Sequence, residues 1–176
     1  MKNEKTGEKK IDPAMSCFLT TATVGALGLS DNCEPLELAR FLRDEKMKSE
    51  KELAAVDLYY KVAPVIVARS TKEEWIAFWR DHMSRITALV KSGEHELAKD
   101  LYTYATACLV NKKASHYSDA ELVDSVYEYG LKGIGKKWLP YPVRYALLKS
   151  ALFAGLSYQS VRLGLAKRKF SQILDL

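Results

Sequence analysis

After Thr71, apolar residues return at Trp75, Trp79, Met83, Ile86 and Val90, at steps of four, four, three and four. Only an α-helix brings side chains at that spacing onto one face. Lys72, Arg80, Asp81, Ser84 and Arg85 occupy intervening positions, so the helix is amphipathic and must bury its stripe against a neighbour. Thr71 and Glu74 stand in capping-box relation and mark its start, and Gly93 stops it. A second stripe, Leu97, Leu101, Tyr104 and Cys108, follows directly, so the break at Ser92 and Gly93 predicts an antiparallel helical hairpin from Thr71 to Asn111. That hairpin is expected at the centre of the fold, with Trp75 and Trp79 both largely buried.

The remaining chain reads the same way. Asp31, Asn32 and Pro35 signal a helix start, with a helix through about Met47. Leu53, Val56, Tyr60 and Ala63 share a face, and Pro64 is expected to end or kink that helix. Ser118 and Glu121 repeat the capping box, and a last long helix is predicted from about Val143 to Lys167. Alternating strand patterns and internal repeats are absent. The expectation is one all-α, bundle-like domain of five to seven helices over residues 14–176, preceded by a polar, flexible tail, 1–13. A chain of 176 residues can bury roughly 70% of its unfolded surface, so its core needs no staples.

Cysteine chemistry is the first route to function. Three cysteines, Cys17, Cys33 and Cys108, are too few for a disulfide framework and fit a reducing, cytoplasmic setting. Lysines before the run from Met15 to Leu29 imitate a secretory leader, but Asp12, Pro13 and three threonines interrupt it. If a helix begins near Ser16, its unpaired amides and dipole favour a Cys17 thiolate, with Thr20 and Thr21 one turn later. Packing of a small apolar Cys between helices is the competing reading. Cys33 is a candidate redox partner if the chain folds back on itself. His82 and Cys108 fall at similar heights in the hairpin, although both sit on or beside apolar stripes. No Cys-x-x-Cys or paired-His spacing supports a metal, and no cofactor loop is evident. Gly130 to Lys137 lacks the Ser/Thr and the strand of a P-loop, and His95 to Lys99 lacks the second histidine of a zincin helix.

The segment Cys17-Phe18-Leu19-Thr20-Thr21-Ala22 is followed by Leu38-Ala39-Arg40-Phe41-Leu42-Arg43-Asp44, then Tyr59-Tyr60, Ala63-Pro64, Ala98 and Tyr102. This order resembles the bacterial CFI-box proteins, named for a Cys-Phe-Ile/Leu-Ala/Thr-Thr-Ala box and carrying a Leu-Arg-x-Phe-Arg-Asp-like helix, although the register of that helix departs from the pattern here. The resemblance covers roughly residues 16–109. It implies a shared fold and singles out Cys17, and it implies no particular reaction.

Charge is the second route. Residues 1–129 hold 18 basic and 21 acidic side chains, whereas residues 130–176 hold 9 and 1. The basic third offers Lys136, Lys137, Arg144, Lys149, Arg162, Lys167, Arg168 and Lys169. Such segregation points to an acidic protein surface as partner, with neutralisation inside the molecule as the alternative. Trp138 and Tyr141 beside these lysines also suit an anionic membrane surface, whereas nucleic acid lacks an accompanying motif. The leading expectation is an interaction module using this third. Its rivals are a thiol-dependent enzyme or redox sensor centred on Cys17, and peripheral membrane binding by the last helix.

Overall fold

A computed structural model of the chain describes residues 17–113 and 139–174, with the side chains of 141, 152 and 165–174 excepted. The tail 1–13, the helix expected after Ser118 and the segment Gly130 to Lys137 lie outside the described residues.

Every regular element among the described residues is helical. Helix α1 spans Phe18–Ala26 and α2 spans Glu34–Phe41, which runs into a wide π turn at Leu42–Lys46. Cys33, rather than Asp31 or Asn32, is the N-cap of α2, and Pro35 falls in its first turn. Helix α3, Glu50–Ala68, opens with a full capping box between Ser49 and Glu52. It continues through Pro64 instead of ending there. The proline lies on the exposed side, where the carbonyl that loses its partner can meet water.

Helix α4, Lys72–Phe78, starts at the expected Thr71–Glu74 box and passes through a second π turn, Trp79–Met83, into α5, Ser84–Lys91. That turn changes the expected stripe. A π turn inserts a residue, so Trp75 and Phe78 are buried before it, and Met83, Ile86, Leu89 and Val90 after it. Trp79 is rotated to the margin and is only partly buried. Gly93, at φ +82°, makes the reversal that only glycine adopts readily. Helix α6, His95–Lys113, returns antiparallel to α5 and also packs on α3 and on α7, Tyr141–Leu174. The hairpin is central as expected, and α6 is its hub. No helix among the described residues is long and apolar enough to cross a membrane.

Two capping glutamates do a second job. Glu52 receives Lys99 Nζ at 2.5 Å, joining the start of α3 to α6. Glu74 receives Lys112 at 2.7 Å and Lys113 at 2.6 Å, joining the start of α4 to the end of α6. Burial alone would raise the Glu52 carboxyl, but hydrogen bonds from Lys99 and Ser49 outweigh it and hold it down at about 2. The lysine bonds, with the Thr71 amide, hold Glu74 at about 2 as well. Both folded values lie below the ordinary 4.5, so this stabilisation is complete above 4.5 and is lost as the pH falls toward 2. Denaturant titrations from pH 6 to pH 2.5 should show stability falling less steeply in a Glu52→Gln, Glu74→Gln variant than in the parent. Equal slopes would contradict the two bridges.

Candidate functional site

Cys17 caps the N-terminus of α1, close to where the sequence places it, yet it is only 3% exposed. The reason is tertiary. The start of α1 faces α3, and Tyr59 Oη accepts the first-turn amide of Leu19 at 2.9 Å. The orphan amide that could have attracted an anion is therefore answered by a phenol. Cys17 packs with Val24 and Leu36, and half-buried Cys33 lies against the same group. Both thiols are unbonded.

Arg43 is the polar organiser of this region. It sits in the π turn after α2 and is 6% exposed. Its Nε and Nη2 donate to Asp44 at 2.5 and 2.8 Å, and its Nη1 donates to Tyr60 Oη at 2.6 Å and to Cys17 Sγ at 3.3 Å. One guanidinium thus ties α1, the π turn and α3 together with charge-assisted bonds. Tyr60 packs edge-on against Phe18, with ring centroids 6.1 Å apart, and against Tyr59 at 5.3 Å. Tyr59 in turn meets Tyr102 of α6, whose hydroxyl lies 3.4 Å from Thr20 Oγ1. Thr20 is fully buried here, while Thr21 is half-buried and its hydroxyl has no partner among the described residues.

Protonation follows from burial. Desolvation pushes the Cys17 thiol up, opposed by Arg43. Desolvation also lifts Tyr60, and it lifts Tyr102 to about 12. At neutral pH the group therefore consists of a neutral thiol, neutral phenols and a cation already paired with Asp44. Of the two readings of Cys17, this favours packing between helices, because a buried start of α1 removes the solvent that a thiolate needs. In native protein, iodoacetamide should modify Cys33 well before Cys17, with peptide mapping as the readout. Modification of Cys17 first would contradict the burial described.

Part of this cluster lines a cavity of about 320 Å³. Ala39, Leu42 and Met47 wall it from the α2 side, Val56, Leu58 and Val62 from α3, Ala107 and Val110 from α6, and Leu148 and Ala151 from α7. Cys17, Arg43, Tyr59 and Tyr102 supply the polar end. Thr106 also lines it, with a buried hydroxyl that has no partner among the described residues. Thr103 and Ala151 line the cavity and are themselves exposed, so it reaches the surface between α6 and α7. Its volume lies within the range of ligand pockets and is roughly ten times the ~30 Å³ of a liquid water, room for a medium-length alkyl chain.

The other expected groups sit elsewhere. Tyr104 packs on His82, with centroids 6.2 Å apart, and hydrogen-bonds Cys108, so a phenol stands in the proposed dyad. Burial lowers His82 and raises Cys108, which suits packing better than catalysis. Lys149 donates to the carbonyl and side chain of Asn111 near the end of α6, at 3.1 and 2.5 Å, and Arg162 pairs with Asp100 at 2.5 Å. These two basic residues clamp α7 to α6. Arg144 is half-buried and engaged within the fold. The side chains of Lys136, Lys137, Lys167, Arg168 and Lys169 are outside the described residues. No group of three or more His, Cys, Asp or Glu among the described residues is placed to hold a metal ion.

The site residues that sequence reasoning passed over are Arg43, Tyr59, Tyr60 and Tyr102. Each stood in a segment carrying the CFI-box resemblance, and that was the available signal. No family model matches the chain, and neither a curated protein nor a solved structure is detectably similar to it.

Proposed function

We propose that the chain binds a small, apolar, largely uncharged molecule in the cavity between α3, α6 and α7. The observation that carries this reading is the wall composition: apolar almost throughout, with Cys17, Arg43, Tyr59 and Tyr102 clustered at one end and Thr103 and Thr106 the other polar side chains. Arg43 reaches that end already paired with Asp44, so an uncharged occupant matches it better than a free anion. The segments that carry the CFI-box resemblance meet here, Cys17 and Tyr60 through Arg43 and Thr20 through Tyr102.

An uncharged fluorescent probe, N-phenyl-1-naphthylamine, tests it. The probe should brighten with the native protein, be displaced by 1-decanol, and bind about tenfold more weakly to Ala107→Leu, which fills part of the cavity. Unchanged binding to a folded Ala107→Leu protein would overturn the assignment.

A second reading, recognition of an acidic protein by the basic C-terminal third, is supported by the segregated charge. Lys149 and Arg162 are engaged with α6, so it rests chiefly on Lys136, Lys137, Lys167, Arg168 and Lys169. Binding to an acidic protein column that is unaffected by salt and by neutralising Lys167, Arg168 and Lys169 would exclude it.

A further inference from the structure

We propose that the outer face of α7 is the contact surface between two copies of this chain, paired antiparallel about a twofold axis. Val143, Leu147, Ser150, Ala154, Tyr158 and Val161 recur there at steps of four, three, four, four and three, and all six are exposed. That is the spacing of a coiled-coil seam, which a second helix covers. The opposite side of α7 already has its cover, since Leu148 is buried and Tyr145 packs on the core. A helix apolar on both sides has two surfaces to bury, and α6 takes one of them.

Charge decides what the second surface fits. The seam from Val143 to Val161 carries no charged side chain, whereas the exposed side of α3 carries Lys51, Asp57 and Lys61. Arg144 and Lys149 stand off the seam and are engaged within the fold, and Arg162 pairs with Asp100. An acidic protein or an anionic headgroup would find no cation along it. A second copy is uncharged at the same places. In the antiparallel register that sets Val143 against Val161 of the second copy, Ala146 meets its Tyr158 and Ser150 meets its Ala154, so the bulky phenol faces a small side chain. Arg144 and Arg162 then lie opposite Ser160 and Pro142 of the second copy, whereas a parallel pair would set each arginine against its own equivalent. With Phe153 flanking the seam, the exposed apolar surface comes to roughly 500 Å² per copy and about 1,000 Å² per pair, at the lower limit of specific interfaces.

Sedimentation velocity on the full chain tests the pairing, at about 1 µM and about 200 µM to bracket the micromolar dissociation constant expected of so small an interface. The mass should rise from that of one chain toward that of two. Ala154→Lys, which sets an ammonium at the middle of the seam in each copy, should weaken association at least about tenfold. Ala154 is exposed, so the variant should keep its fold and the circular dichroism of the parent. Mixed Val143→Cys and Val161→Cys proteins should form a disulfide between positions 143 and 161 of different chains on mild oxidation, read by peptide mass spectrometry.

A chain that stays single at the higher concentration would overturn the proposal. So would a dimer that Ala154→Lys leaves intact, or one that links position 143 only to its own equivalent. A single chain that pellets with phosphatidylglycerol vesicles would overturn it too, and would assign the face to lipid.

Discussion

Trp75→Ala is expected to cost about 3–5 kcal/mol of folding stability, and Trp79→Ala only about 1–2 kcal/mol. The two tryptophans stand four residues apart on what reads as one stripe, so a continuous α-helix would bury both alike. The π turn at Trp79–Met83 separates them. Trp75 is 5% exposed and packs edge-on against Phe78, with centroids 6.0 Å apart, so its removal leaves a void the core cannot easily close. Trp79 sits at the core's margin and gives up less. Urea titrations of the two variants make the comparison, and equal losses would place Trp79 on the buried stripe and the turn out of register.

Arg43→Ala is the second large loss, about 2–4 kcal/mol. It removes the donor to Asp44, Tyr60 and Cys17 together and leaves a cavity where a nearly buried side chain stood. Asp44 has partial access to water and can be rehydrated, which sets the upper limit. Arg43→Lys should recover only part of the loss, because one ammonium cannot grip the carboxylate with two parallel bonds and reach the phenol as well. A double-mutant cycle with Tyr60→Phe should give a coupling of about 0.5–3 kcal/mol. Additive losses would mean that the bond to Tyr60 contributes nothing.

The helical fold was legible because amphipathic stripes and capping boxes are local. The Thr71–Glu74 box, the Gly93 reversal and the antiparallel return of α6 all follow from residues within a few positions of one another. The two π turns were not legible, since nothing in the residues Leu42 to Lys46 or Trp79 to Met83 distinguishes a wide turn from an ordinary one. The site fell between these cases. A helix start at Cys17 was readable, but its burial depends on Tyr59, forty positions away, reaching the Leu19 amide. Nothing local to Arg43 and Asp44 shows that the π turn carries Arg43 inward. The basic C-terminal residues read as a surface, yet Lys149 and Arg162 find partners on α6 that no local pattern announces.

Methyl-resolved NMR with an alkyl ligand tests the cavity most directly. On adding 1-decanol, intermolecular NOEs should run from the alkyl chain to the methyls of Val56, Val62, Val110 and Leu148, and to the Tyr59 and Tyr102 rings. The outer face of α7 also presents apolar side chains, with Phe153 74%, Tyr158 70% and Val161 66% exposed. NOEs restricted to these three, with the cavity methyls silent, would contradict the account and place binding on the surface instead.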